Sequence, residues 1–515
     1  MPPKLTPPVQ TIQGGVISSI KPNDITNNTA SSPPLALPSL VHPHIHLDKA
    51  YIHNTPAYSS LLPKTGTFRE ALSSTTQAKA QFRKPDLIKS GQWLLAESVA
   101  AGVTAMRAFV EVDHTVQHTC LEAGLALKEK WKDVCEIQLV CFAQDPIFST
   151  DFGEQNRSLV EDAIRLYSPG QVGVLGTTPY VETSIEAAKQ NIEWAVELAM
   201  GTGRHLDFHL DYNLSPPEEQ PEPLVWYVLS ILREKGWTSR STNKRVMLGH
   251  CTRLSLFKEE GWARLAKEIH DNDLPVSFVG LPTSDLYMAA APSPLDGATK
   301  INPRGTLPIP DLINKYALDA VLGVNNVGNA FTPWGSADPL SLACLGVGIY
   351  QAGTVADADL LYECISTRAR AAIGLSETRT PSSASASDSD MSRSDPGVRL
   401  RCGDCADILL LYDVDDTGCF GQSNSESKSE GESEGQSEAR SRRTVAEVVW
   451  DPPSKATRAV VCRGRVKTGA LLTGSDWGFR FAEQQGLLPQ PNLMFMELKV
   501  DFAFFPNMPL KKLDE

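Results

Sequence analysis

Three histidines fall at alternate positions in the stretch Leu40 to Tyr51, LVHPHIHLDKAY: His42, His44 and His46. In an extended strand, residues i, i+2 and i+4 point to one side, so the pattern predicts three imidazoles on one face. Neutral imidazole is the commonest protein metal ligand and suits Zn or Fe(II) alike. The competing reading is an exposed His-rich turn. The apolar run before the cluster and the strand-ending Asp48-Lys49 after it argue against that reading. To do chemistry the cluster needs further ligands and acid–base groups, delivered to the same place by other elements.

From about residue 37, short apolar or β-branched runs alternate with longer helix-like segments. The strand candidates are SLVHPHIHL, TAMRAFVEVD (104–113), EIQLVCFAQ (136–144), QVGVLGTTP (171–179), HLDFHLDYN (205–213), RVMLGHC (245–251), PVSFVGLPT (275–283) and LDAVLGVNN (318–326). Amphipathic stretches such as EEGWARLAKEIHD and SIEAAKQNIEWAVELAMGTG lie between them. Eight such units predict an α/β chain with a (β/α)8 TIM-like barrel. A doubly wound open sheet, the alternative, prefers a Gly-rich phosphate turn after its first strand, and none is present. Functional side chains of a barrel sit at the C-terminal ends of its strands. Those ends offer His44 and His46, Glu111 and Asp113, Gln144 and Asp145, His209 and Asp211, His250, and Asn325 and Asn326.

The flanks differ in composition. Residues 1–36 are rich in Pro, Ser, Thr and Asn, with one alternating stretch, GGVISSI, predicted as a strand of a small sheet and the rest as loop. Residues 37–375 are assigned to the barrel. The segment 376–445 is a Ser- and acid-rich insertion with a strand near 407–414; such composition cannot bury enough apolar surface to offset ordering entropy, so disorder is expected. Residues 446–470 (AEVVWD, RAVVCRGRVK) are read as strands completing a small β-sandwich subdomain with the N-terminal strand. The tail 471–515 carries aromatic patches that admit self-association into a homo-oligomer.

A formal net charge of −13 over 515 residues argues against a nucleic-acid partner. No apolar run approaches the roughly 18 residues of a membrane span, and no secretion signal is read at the N-terminus. The 10 scattered cysteines fit a reducing, cytoplasmic setting, with Cys402 and Cys405 read as incidental thiols. The expected partner is a small-molecule substrate. Redox chemistry is disfavoured, because there is no GxGxxG turn.

HPHIHLDK, the later strand-end His209, the histidine of LGHCTRLS and the polar eighth-strand motif together resemble the amidohydrolase superfamily. The closest branch looks like cytosine deaminase and its relatives acting on N-heterocycles, and the resemblance covers about residues 37–373. GVTAMRAFVEVD, QLVCFAQDPI, LPTSDLYM and PWGSADPL match further family motifs. The resemblance implies a divalent metal, Zn or Fe(II), held by His44, His46 and His209 and by the strand-eight position, here Asn325. It places His250 beside the water and the substrate carbonyl, and Gln144 at the substrate's amide edge.

Two positions depart from the family. Asn325 stands where an Asp ligates metal and takes the water's proton, and Asn326 replaces a second acid. Tyr212 stands where a Glu shuttles protons. An amide accepts no proton at neutral pH, and a phenol with a pKa of about 10 is a poor carboxylate substitute. Asp211, two residues after His209, is the candidate substitute base, so the catalytic set is His250, Asp211, Asn325 and Tyr212. His42 is expected on the face of His44 and His46, one pleat deeper, in a structural hydrogen bond. Asp48 and Lys49 are expected to form a local ion pair. The function expected is metal-dependent hydrolysis of a non-peptide C–N bond in a cyclic amide, amidine or N-heterocycle. The alternative is a catalytically impaired homologue that keeps the barrel and a partial metal site as a binding or scaffold protein.

Overall fold

A computed structural model describes residues 9–13, 15–21, 34–214, 222–289, 304–375, 398–412 and 442–468. Most of the Ser-rich insertion and the whole of the tail 471–515 lie outside the described residues. In chain order the strands are β1 (Val9–Gln13), β2 (Val16–Lys21), β3 (Leu35–Pro38), β4 (Leu40–His46), β5 (Val103–Glu111), β6 (Glu136–Ala143), β7 (Val174–Thr177), β8 (His205–Leu210), β9 (Val246–His250), β10 (Val276–Gly280), β11 (Asp319–Leu322), β12 (Ile408–Leu411), β13 (Arg458–Cys462) and β14 (Arg465–Thr468).

Strands β4 to β11 form one parallel sheet in sequential order. The runs are apolar throughout because a parallel barrel buries both faces of each strand. β5, β8 and β9 are buried at every position. The first and last strands meet where Asn325 N–H donates to the His44 carbonyl at 3.1 Å and His46 N–H donates to the Asn325 carbonyl at 2.8 Å. The sheet is therefore a nearly closed barrel, with intervening helices such as Lys84–Ala101, Ile185–Thr202 and Val225–Glu234 around it. No described helix is long and apolar enough to cross a membrane.

One expectation about the first barrel strand fails for a local reason. Pairing of β4 with β5 runs from His42↔Met106 to Ile45↔Ala108, so three steps on one strand face two on the other. Pro43 has no N–H to keep the ladder regular, and the extra residue is a bulge that inverts the alternation. Val41 joins the interior cluster with Ala105, Met247, Val279 and Val321. His42 turns outward and its Nε2 lies 3.1 Å from Ser98 Oγ on the 84–101 helix. It does not share the face of His44 and His46.

The small subdomain is a four-stranded antiparallel sheet, β14-β13-β12-β3. The β1–β2 hairpin is attached through a Val16↔Cys405 bridge, and Ile17 packs against Ala406, Ile408 and Val461. The GGVISSI strand is thus present as β2, and β1 is a strand where the composition predicts loop. AEVVWD, read as a strand, is the helix Val445–Trp450. Thr444 and Glu447 cap each other across its first turn, a capping box that outweighs a short apolar run compatible with either state. Arg458 of β13 makes two 2.9 Å bonds to Asp338 and one of 2.8 Å to the Ala101 carbonyl, fixing the sheet to the barrel.

Candidate metal centre and active cavity

The strand order brings β4 and β8 into reach across the lumen. His46 Nε2 and His209 Nε2 lie 3.2 Å apart, and one donor nitrogen from each of His44, His46 and His209 falls within 4.8 Å of the others. All three rings are buried. Gly249 and Gly323 leave the room that His44 occupies: a Cβ on Gly323 would lie 3.2 Å from His44 Cβ and 2.8 Å from Leu281 Cδ2. Phe109 and Phe142 floor the cluster, with ring centroids 4.1 Å from His44 and 4.5 Å from His209.

Burial holds all three imidazoles well below their usual pKa, with the neighbouring rings and Lys49 acting in the same direction. Neutral imidazole is the ligating form. Both nitrogens of His44, Nδ1 of His46 and of His209, and Asn325 Oδ1 are buried with no hydrogen-bond partner. Buried polar atoms are normally satisfied, so two imidazoles that meet only each other at Nε2, beside an unpartnered His44 and Asn325 Oδ1, fit a divalent cation. Asn325 reaches the cluster through the barrel's closing bridge to Ile45.

The backbone around the cavity is unusual in a way no sequence pattern announced. Asp211 (φ 47°), His250 (φ 63°), Cys251 (φ 47°) and Asn325 (φ 67°) all adopt left-handed conformations at the ends of three barrel strands or just beyond. Such residues cost of order 1–3 kcal/mol each and concentrate at functional sites.

His250 ends β9 with its Nδ1 2.8 Å from Asp285 Oδ1. Asp285 also accepts from Leu281 N–H at 3.1 Å and Thr306 Oγ1 at 2.8 Å. Burial raises its carboxyl pKa and the His250 contact opposes the rise. An acceptor on Nδ1 fixes the tautomer and leaves Nε2 for the cavity. The sequence signal for Asp285, within LPTSDLYM, is an acid five residues past the end of β10. The Tyr212 ring stands edge-on to His250 at 4.5 Å and near Phe68 and Tyr180 at 5.6 and 5.4 Å. Burial lifts its hydroxyl well above the usual pKa, so it remains a donor.

Asp211, expected as the substitute base, is turned away. Its two oxygens accept Leu224 and Val225 N–H at 2.9 and 3.0 Å, capping the 225–234 helix. The left-handed φ just past β8 removes it from the face of His209. Asp211→Ala strips two buried donors of their acceptor, at about 1–3 kcal/mol. A lower unfolding midpoint is the expected result, whereas lost turnover at unchanged stability would restore Asp211 as base.

Lys49 and Asp48 form no ion pair with each other. Lys49 Nζ lies 2.5 Å from Glu111 and 3.0 Å from Gln144 Oε1, and Asp48 accepts the Glu111 N–H at 2.6 Å. Lys79 bridges Glu111, Asp113 and Asp145 at 2.6, 2.5 and 2.9 Å. The acids of the second and third strand ends are therefore each paired with a lysine, three carboxylates sharing two ammonium groups. What remains is a cavity of about 400 Å³, open solvent at its mouth included. His46, His209, His250, Gln144, Tyr212 and Asn325 are among its walls.

No family model matches the chain. N-isopropylammelide isopropyl amidohydrolase of Pseudomonas sp. (strain ADP) is 25% identical over 184 residues, 35% of this chain and 42% of that protein. The match thus spans less than half the relative's length. Among solved structures, 5-methylcytosine deaminase from Klebsiella pneumoniae has a TM-score of 0.66 at 18% identity, covering 89% of this chain and 93% of that one. N-isopropylammelide isopropylaminohydrolase from Burkholderia multivorans ATCC 17616 has a TM-score of 0.61 at 20% identity, with the same coverage. The barrel expected from the sequence is thereby borne out, and in fold this chain is similar to these two enzymes.

Proposed function

We propose that the chain is a metal-dependent hydrolase of a non-peptide C–N bond in a cyclic amide, amidine or aminated N-heterocycle. The carrying observation is the buried cluster of His44, His46 and His209, with one ring nitrogen of each within 4.8 Å of the others, beside the orphaned Oδ1 of Asn325, which lines the same cavity. A divalent ion, Zn or Fe(II), supplies Lewis-acid polarisation of the substrate and acidification of water when bound. His250 Nε2, with Asp285 behind Nδ1, takes a proton from water and returns it to the departing nitrogen. Tyr212 donates to the substrate and Gln144 orients it. The C–N bond breaks, a C–O bond forms, and the leaving nitrogen departs as an amine or opens the ring.

One observation favours the second reading, a homologue with reduced chemistry: among the described residues, no carboxylate lines the cavity. Metal analysis of the purified protein with a panel of aminated and cyclic-amide heterocycles separates the two. One ion per chain with turnover supports the hydrolase. An inert native protein that gains deamination in Asn325→Asp with Tyr212→Glu supports the impaired homologue. Absence of both metal and turnover overturns the proposal.

A further inference from the structure

Two amide side chains that face the cavity have their orientation forced from behind. Lys49 Nζ can only donate, and it lies 3.0 Å from Gln144 Oε1. The Gln144 oxygen is therefore engaged, and its Nε2 is the atom left for the cavity. Lys49 cannot easily leave, since Glu111 holds it at 2.5 Å in a fully buried pair. A second chain of constraints reaches Asn326. Backbone N–H groups of Phe331 and Thr332 donate to Asn329 Oδ1 at 3.0 and 3.2 Å. Asn329 Nδ2 must then be the atom that donates to the Lys49 carbonyl at 3.1 Å and to Asn326 Oδ1 at 2.8 Å. Asn326, too, has its oxygen occupied and its Nδ2 left over. Both residues line the same cavity, with Lys49 between their networks and, among the described residues, no carboxylate on the wall.

A pocket reads its ligand through the valences its walls leave unfilled. Here the amides present donors, where an acid at position 326 or an untethered Gln144 would present acceptors. A ring that turned N–H or NH2 toward these groups would set donor against donor and leave both unpaired in a buried site. Such mismatches are rejected far more strongly than a lost methylene.

We propose, resting on the C–N hydrolase reading above, that the substrate is an oxo-substituted N-heterocycle, a cyclic imide or ureide or its anion. It presents carbonyl oxygens or deprotonated ring nitrogens to Gln144 Nε2 and Asn326 Nδ2. The positions beside the scissile bond carry acceptors, and amino groups there are excluded.

Calorimetric titration of the metal-loaded full chain tests this without requiring turnover. Cyanurate and melamine share a triazine ring and exchange oxo for amino at every carbon; barbiturate and 2,4,6-triaminopyrimidine do the same on a pyrimidine. The oxo member of each pair is expected to bind at least about tenfold tighter. Asn326→Asp turns a donor into an acceptor and is expected to erase or invert that preference. Lys49→Met releases the Gln144 amide to rotate and is expected to narrow it, should the first variant fold poorly. Equal or tighter binding of the amino members, no binding by either class, or a preference unmoved in both variants overturns the inference. Selective binding of oxo rings with no hydrolysis of any panel member sinks the hydrolase reading and leaves the pocket's polarity standing. Turnover of an amino-rich ring lacking these acceptors does the reverse.

Discussion

Asp285→Asn is expected to cost about 10²–10⁴-fold in turnover while leaving metal content unchanged. The substitution keeps shape and volume, and Asn can still accept the Leu281 N–H and the Thr306 hydroxyl through its one oxygen. Its amide nitrogen then faces His250 Nδ1, where the native carboxylate oxygen lies at 2.8 Å. A donor at that place forces Nδ1 to accept, so the proton moves to Nε2 and the atom facing the cavity can no longer take one. The same tautomer error in a histidine backed by an aspartate costs about 10⁴-fold in a serine protease. The effect should fall on kcat more than on KM, because the side chain lies behind the wall. Measurement requires the native turnover, the variant's turnover and metal stoichiometry in both. Loss of metal along with activity would mean that Asp285 supports the ligand cluster instead of the proton path. Unchanged kcat would remove the His250–Asp285 pair from the chemistry.

The sequence reveals the site unevenly, and the reason is distance along the chain. HPHIHLDK shows two of the proposed ligands because strand periodicity is local, and the alternation of apolar runs shows the barrel because each strand and the helices after it are contiguous in the chain. His209 and His250 are visible once strand ends are known to carry function. Groups whose roles depend on a partner far away are not. Nothing within a few residues of Asp285 says that it will meet His250, and nothing near Lys49 says that Glu111 will outbid Asp48 for its charge. Backbone detail is equally hidden. Both the outward turn of His42 and the removal of Asp211 from its expected face follow from local departures from regular strand geometry, a bulge and a left-handed φ. Period-2 reasoning holds only while the strand stays regular. The helix at Val445–Trp450 was readable, since Thr444 and Glu447 stand in the sequence as a capping box.

Beneath the cavity floor, Arg107 and Asp207 carry the second large effect. Both are fully buried; Arg107 Nη1 lies 3.0 Å from Asp207 Oδ2, and its other nitrogens donate to Gln138 Oε1 at 2.7 Å and the Ile373 carbonyl at 3.1 Å. Burial pushes the Asp207 carboxyl up to about 7, with Arg107 pulling it back. Its second oxygen has no hydrogen bond and stands 3.9 Å from His44 Nδ1, itself unbonded. Arg107→Met leaves that carboxylate in the barrel without its cation and is expected to lower unfolding free energy by about 3–5 kcal/mol in denaturant titration. Adding Asp207→Asn removes the stranded charge, so the double variant should recover part of the loss, with a coupling of about 0.5–3 kcal/mol. Metal affinity separates a purely structural pair from one that also steadies His44. Asp207 sits on β8 two residues before His209 and faces His44, so a misplaced carboxylate disturbs two of the proposed ligands at once. A loss of about 10–100-fold in metal affinity for Asp207→Asn alone, in protein that remains folded, fits the support expected of a residue behind a ligand. Strictly additive single losses, with native metal affinity throughout, would reduce the pair to an ordinary buried ion pair and leave His44 held by its aromatic neighbours.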